Sequence, residues 1–123
     1  MRTTFCPECL DDQSFSRIEE LETFTIRDES IEIKAEYLQC AKCGEKITDP
    51  SNVDRNLDLA YREYRMRKGL LQPEEIVQIR KSLELSIIEL EEKLKWPSLT
   101  LERYETGALQ TREHNKQLLN LKR

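Results

Sequence analysis

The chain has 123 residues, of which 37% are hydrophobic and 36% are charged, which suits one ordinary domain or two very small ones. No apolar run approaches the roughly 18 residues of a membrane-spanning helix, so we expect a cytoplasmic protein without a membrane partner. Residues 1–50 hold six Lys and Arg against twelve Asp and Glu, whereas residues 51–123 hold fourteen against twelve. This asymmetry predicts a basic partner for the first half. The second half should bind a partner that is compatible with many acidic side chains. The alternative is that the charge only keeps two small domains soluble.

The cysteines form two Cys-x2-Cys pairs separated by thirty residues: Cys6, Cys9, Cys40 and Cys43. Each pair can form a tight turn, and four thiolates can converge tetrahedrally on one Zn²⁺. Pro7 lies inside the first turn, and Gly44 follows the second, where a positive φ is often needed. A redox Cys-x-x-Cys fits less well, because no clear strand precedes it and no clear helix begins at it. Two disulfides need an oxidising compartment, of which the sequence gives no sign. A catalytic zinc needs an open coordination position, which four thiolates do not leave. The pattern therefore predicts one structural zinc ion.

Two segments between the cysteine pairs, "LETFTIRD" and "IEIKAEYLQC", alternate with the period of β-strands. Phe24 and Ile26 mark one face of the first, and one face of the second is formed by Ile31, Ile33, Ala35 and Tyr37. With a reversal at "RDES", these strands predict a hairpin that returns Cys40 to Cys6. Because an isolated hairpin is marginal in water, we expect zinc to supply most of the folding free energy of this half.

A connecting helix is predicted between Asp54, its N-cap, and Gly69, with Leu57, Tyr61 and Tyr64 along one face. Its last turns carry three arginines and a lysine. These cations either complement the helix dipole or form an arm that contacts nucleic-acid phosphates.

The second half predicts a helix that begins at Pro73 and another that begins after the capping box of Ser86 and Glu89 and ends near Leu94. After the turn "KWP", a short helix runs from Ser98 to about Thr106, with Gly107 as its left-handed cap.

The inner side of this short helix is predicted to carry Leu101 and Tyr104 against Trp96, with Ser98, Leu99, Thr100 and Arg103 on its outer side. A final helix begins at Thr111 and buries Leu118 together with Leu121 or Leu119. Two short helices joined by a tight turn are typical of a helix-turn-helix, although a small helical bundle without a nucleic-acid role has the same spacing.

These patterns predict an α+β protein: a small zinc-bound β-hairpin domain (residues 1–50), a helical connector (51–69) and an all-α helix-turn-helix domain (70–123). The only histidine, His114, lies far from the cysteines in sequence, and there is no glycine-rich phosphate loop. Because no catalytic constellation is visible, we do not expect an enzyme.

The string "EEIVQIRKSLELS", the closing "RYETG" and the two spaced Cys-x2-Cys pairs together resemble the MqsA-type antitoxins, in which a YgiT-type zinc finger precedes a Cro/repressor (XRE) helix-turn-helix. The resemblance covers nearly the whole chain. It implies a homodimeric antitoxin and transcriptional repressor of a type II toxin-antitoxin system. In such families the zinc domain covers a protein toxin, often a basic ribonuclease, and the helix-turn-helix binds operator DNA upstream of its own operon.

The resemblance also implies roles for individual residues near the short helix. Arg103 matches the family's arginine, whose natural role is a bidentate contact to guanine, and Glu102 either accepts from a cytosine amino group or holds Arg103 in place. Leu99 occupies the position of a base-reading asparagine and can only touch a thymine methyl group. Lys95 replaces a turn glycine and can contact a phosphate.

Two other functions remain open at this point. The acidic Glu102 and the apolar Leu99 favour a protein-interaction adaptor whose helix-turn-helix never meets DNA, whereas Arg103 and Lys95 oppose it. A plain regulator without a toxin is distinguished by its neighbouring gene, because antitoxins are normally encoded beside their toxins.

Overall fold

A computed structural model of the chain describes residues 2–122. A four-stranded antiparallel sheet is followed by five helices, which confirms the predicted α+β class. The chain divides into two compact units, Met1–Ala60 and Tyr61–Arg123, so the boundary falls inside the first helix. Within the described residues, no helix has the length and apolar character needed to cross a membrane.

The sheet contains β1 (Arg2–Cys6), β2 (Asp11–Ile26), β3 (Glu29–Cys40) and β4 (Lys46–Ile47), hydrogen-bonded in that order. The predicted hairpin is β2–β3, and Arg27 and Asp28 close it with φ values of 47° and 69°. A two-residue loop with both φ values positive matches the right-handed twist of the flanking strands. The sequence analysis missed β1, β4 and the first ten residues of β2, where exposed polar residues weaken the alternation.

The buried face of the β2–β3 ribbon changes along its length. Near the hairpin turn, Phe24 pairs with Ile31, and the predicted apolar face of β3 is buried at Ile31, Ile33 and Ala35. At the other end, Cys40 lies on the opposite face, in a small buried cluster of Cys6, Phe15, Leu38 and Cys40. The pairing of β2 with β3 is continuous between these ends, with no extra residue in either strand. The buried face therefore changes because the apolar residues switch from one face to the other along the sequence, and not because of a β-bulge.

Helix α1 (Arg55–Lys68) follows Asp54 directly, as predicted. The Asn56 side chain continues the edge of β3 beyond β4: its Oδ1 accepts from Glu36 N–H at 2.9 Å and its Nδ2 donates to Glu36 C=O at 3.0 Å. The predicted apolar face of α1 is not the buried one at its beginning, because Leu57 is exposed whereas Asn56 and Ala60 are buried. The buried positions Asn56, Ala60 and Tyr64 are four residues apart, and a search for apolar positions does not find a face that begins with a polar asparagine.

The basic residues at the end of α1 have internal contacts within the second unit. Arg62 forms two hydrogen bonds to the Glu74 carboxylate, and Arg67 pairs with Glu63. Arg65 is buried and donates to Gly107 C=O at 2.6 Å. These contacts favour a structural role for the cluster over a phosphate-contacting arm.

The second unit packs α2 (Pro73–Ser82), α3 (Ile87–Leu94), α4 (Thr100–Glu105) and α5 (Arg112–Leu121) around one apolar core. The predicted capping box of α3 is present, with Ser86 Oγ accepting from Glu89 N–H and Glu89 accepting from Ser86 N–H. The sequence predicted that the short helix α4 begins at Ser98. This is wrong by two residues, because the turn extends through Leu99 and α4 begins at Thr100. Leu99 has a positive φ of 71° and cannot lie inside a right-handed helix.

Two polar contacts fix these helices relative to one another. The Arg80 guanidinium of α2 holds the Glu105 carboxylate of α4 through hydrogen bonds of 2.7 and 3.2 Å, and both side chains are largely buried. Asn115 of α5 accepts from Leu71 N–H at 2.9 Å, so α5 also holds the segment before α2. Such buried pairs stabilise only when complete, and they make one arrangement of the helices preferable to its alternatives.

In the first unit, Asp49 joins the segment after β4 to the sheet. Its carboxylate accepts from Ser51 N–H at 2.9 Å and forms ion pairs with Arg2 of β1 and Arg17 of β2. The Ser51 backbone and hydroxyl donors, followed by the two arginines, hold the pKa of Asp49 well below its ordinary value of 3.8.

We expect Asp49→Asn to lower the free energy of unfolding of the first unit at pH 7. A carboxylate with a depressed pKa contributes stability above its unfolded pKa and loses it as pH falls through the folded value. The loss is measured at pH 7 by urea unfolding of the zinc-loaded protein, because the thiolates hold the metal at that pH and release it on acidification. Equal stability of wild type and Asp49→Asn at pH 7 would contradict the assignment.

Candidate metal centre and nucleic-acid interface

The structure brings the four cysteines together at one end of the sheet. Their sulfur atoms all lie within 4.8 Å of one another, with Cys6 Sγ 3.5 Å from Cys43 Sγ and Cys9 Sγ 4.0 Å from Cys40 Sγ. A tetrahedral zinc site with Zn–S bonds of about 2.3 Å requires sulfur atoms roughly 3.8 Å apart. The donor set and its spacing therefore fit a metal ion held by four thiolates.

Two tight turns place these sulfur atoms, one after β1 (the first knuckle, residues 6–9) and one after β3 (the second knuckle, residues 40–43). In the first, Cys9 N–H donates to Cys6 Sγ at 3.4 Å and Leu10 N–H donates to Cys6 C=O at 2.8 Å. In the second, Gly44 N–H donates to Cys40 C=O at 3.0 Å, and Gly44 has the predicted positive φ, 81°. The corresponding position after the first knuckle is Leu10, with φ of 57°.

The local environments of the thiols differ. Desolvation by burial and hydrogen bonds with the neighbouring thiols raise the pKa of Cys9 to about 12. The Cys43 backbone N–H lowers the pKa of Cys40 to about 7, against the opposing effect of burial. A divalent cation among four sulfur atoms favours the thiolate form at every position and displaces the protons.

The six residues predicted to contact DNA lie on or beside α4 in the second unit: Lys95, Ser98, Leu99, Thr100, Glu102 and Arg103. Five are exposed, and Thr100 is half-buried. Leu99 is 52% exposed. Over residues 2–122, Glu102 and Arg103 form no ion pair with each other, so the carboxylate does not hold the guanidinium in place in this structure.

Two predicted features of the turn between α3 and α4 are present. Lys95 ends α3 in the left-handed conformation, with φ of 61° and ψ of 40°, at the position where glycine has no steric penalty. Leu101 and Tyr104 face inward with Trp96, as predicted. Trp96 also stacks on His114 of α5 at 4.3 Å between ring centroids and donates to Gln117 Oε1 at 3.0 Å.

A buried carboxylate positions α4. Leu99 occupies the N-cap of α4 and has no side-chain acceptor, but Glu91 of α3 accepts from Leu101 N–H at 2.9 Å. Glu91 therefore accepts a hydrogen bond from a backbone N–H in the first turn of α4, a role that the side chain of the N-cap residue usually has. The sequence analysis missed this role, because Glu91 is one of several glutamates in α3 and only the tertiary structure distinguishes it.

We expect Glu91→Ala to lower the free energy of unfolding of the second unit by about 1–3 kcal/mol, because it leaves the buried Leu101 N–H unpaired. Glu91→Gln keeps an acceptor oxygen and should lose less. The matched control is Glu92→Ala, an exposed neighbour on the same helix, which should change stability by less than about 0.5 kcal/mol. If urea unfolding gives the same loss of unfolding free energy for Glu91→Ala and Glu92→Ala, Glu91 does not have this role.

Comparison with known proteins gives one family. The model for a family described as the antitoxin component of a bacterial toxin-antitoxin system, MqsA, matches residues 1–123. No curated protein matches the chain.

Proposed function

Because the chain belongs to the MqsA family of antitoxins from bacterial toxin-antitoxin systems, we propose that it neutralises a protein toxin and represses transcription of its own operon. The observation that carries this proposal is the family match over the whole chain, which includes both the cysteine cluster and the helical unit. In this proposal residues 1–50 bind the toxin, residues 51–69 connect, and residues 70–123 bind operator DNA as a homodimer in the cytoplasm. The protein acts by binding and not as an enzyme.

The metal in the cysteine cluster is Zn²⁺ in this proposal. Four cysteine ligands at these spacings suit zinc, and a site closed by four thiolates leaves no position for a substrate or an activated water. When bound, the ion supplies no reaction; it crosslinks the turn after β1 to the turn after β3. The apolar cluster beside it contains only Cys6, Phe15, Leu38 and Cys40, with Cys9 and Ile47 packed against it. A cluster of this size does not by itself hold this end of the sheet together without such a crosslink.

We expect Cys40→Ser to lose the bound zinc and to unfold the first unit, while the second unit stays helical. Metal content of the purified protein reports the first effect. Amide chemical-shift dispersion separates the two units and reports the second. Dispersed β-sheet signals in a zinc-free Cys40→Ser variant would contradict a structural metal.

DNA recognition is assigned to α4 and the turn before it. Leu101 and Tyr104 of α4 face the core, so the exposed side chains of α4 and its preceding turn that remain to contact DNA are Lys95, Ser98, Leu99, Glu102 and Arg103. Arg103 has no ion-pair partner within residues 2–122, and its guanidinium can pair with the O6 and N7 atoms of guanine. A helix of only six residues also depends on its supports, Glu91 and the Arg80–Glu105 pair, for a fixed orientation.

We expect Arg103→Ala to weaken binding to duplexes from the region upstream of its own gene by roughly 1–3 kcal/mol. Fluorescence anisotropy of the zinc-loaded protein, with a scrambled duplex as competitor and at two salt concentrations, measures this loss. Lys122→Ala, an exposed cation at the end of α5, is the control and should lose little selectivity. A wild-type protein with no preference over scrambled DNA would favour the adaptor function instead.

A further inference from the structure

We infer that the end of the β1–β2 pair beside the first knuckle is the docking surface for a basic protein partner, an inference that rests on the antitoxin function proposed above. We call this surface the knuckle patch and define it by Phe5, Glu8, Leu10 and Asp12. Nothing in the cysteine cluster or in the DNA-binding residues requires these side chains.

The knuckle patch exposes two large apolar side chains, one near the end of β1 and one in the turn that follows it. Leu10 is 77% exposed and Phe5 is 49% exposed. Phe5 pairs across the sheet with Asp12, and both lie on the face opposite the buried Cys6. Apolar side chains surrounded by charged ones are the usual composition of a binding surface, with the apolar groups as anchors and the charged groups as its rim.

The backbone conformation of Leu10 costs free energy, and no packing of its side chain within the chain offsets that cost. Its φ of 57° lies in the left-handed region, which a leucine adopts at a penalty and a glycine without one. The equivalent turn after the second knuckle has Gly44. Because the Leu10 side chain is exposed, it gains no packing within the chain, and a strained residue of this kind points to a function outside the fold.

The charge of the knuckle patch identifies the chemistry of its partner. Residues 5–12 include three carboxylates and no lysine or arginine, and no ion pair within residues 2–122 neutralises Glu8, Asp11 or Asp12. Four thiolates around one Zn²⁺ add two further negative charges beside them. The complementary surface is therefore rich in lysine and arginine around an apolar pocket.

A second exposed leucine lies elsewhere in the same unit. Leu21 is 67% exposed, with Lys34 as its cross-strand partner and the exposed Glu19 and Glu32 on the same face of the ribbon. Leu21 therefore has carboxylates near it, as Leu10 does, but lies away from the first knuckle. It is a control matched in residue type, exposure and domain.

The test uses the zinc-loaded chain of 123 residues and the purified protein encoded beside its gene, with affinity and rates measured by biolayer interferometry. Leu10→Gly should weaken binding roughly tenfold or more, while raising the thermal midpoint of the first unit because the left-handed conformation no longer carries a penalty. Phe5→Ala should weaken binding similarly, and Leu21→Ala should leave it unchanged. Opposite changes in affinity and stability separate a lost contact from a damaged fold.

The charged rim has its own test. The double variant Glu8→Gln/Asp12→Asn should slow association and flatten its dependence on salt, because steering by unlike charges acts mainly on the association rate. Glu19→Gln/Glu32→Gln, a pair of exposed glutamates on the ribbon, is the control with the same change in net charge. Equal effects of the two double variants would assign the steering to the whole unit and overturn the local patch.

The remaining outcomes are also decisive. Wild-type binding that survives both Leu10→Gly and Phe5→Ala places the partner elsewhere on the chain and overturns the inference while leaving the antitoxin function intact. Failure of the wild-type chain to bind overturns the proposed neutralisation and the inference together. If Leu10→Gly dissociates a dimer in sedimentation velocity and leaves partner affinity unchanged, a second copy of this chain covers the patch and the inference is wrong.

Discussion

The convergence of four cysteine sulfur atoms is the constraint on which the first unit depends. Two turns separated by a long β-hairpin must meet within 4.8 Å, and the pairing of β2 with β3 brings them there by placing Phe15 opposite Cys40. The apolar cluster at this end is too small to hold the strands by burial alone. A metal ion at the sulfur atoms replaces the missing core, so its binding and the folding of this end are one equilibrium.

The second unit reaches a defined structure by different means. Its apolar core is continuous through all four helices from α2 to α5, and buried polar contacts select one arrangement of them. The Arg80–Glu105 pair joins α2 to α4, and Glu91 supplies the acceptor that α4 lacks at its own beginning. A six-residue helix has little stability of its own, and these contacts are what make it a rigid platform for exposed side chains.

Both units contain exposed residues in strained backbone conformations. Lys95 and Leu99 adopt left-handed conformations at the ends of the turn before α4, and Leu10 does so beside the metal centre. In each case the side chain is exposed, so packing inside the chain does not offset the strain. The proposed DNA contacts account for the first two, and the knuckle patch accounts for the third.

The sequence by itself determined the cysteine cluster, the β2–β3 hairpin, the capping box of Ser86 and the inward side of α4, because each depends on local spacing or on the chemistry of nearby residues. The family also followed from the order of these motifs, and the comparison confirms it. Only the tertiary structure decided that Leu57 is exposed, that Asn56 extends the edge of β3 and that Glu91 caps α4. These depend on which polar group meets which backbone atom far along the chain, and neither hydrophobic periodicity nor propensity contains that pairing.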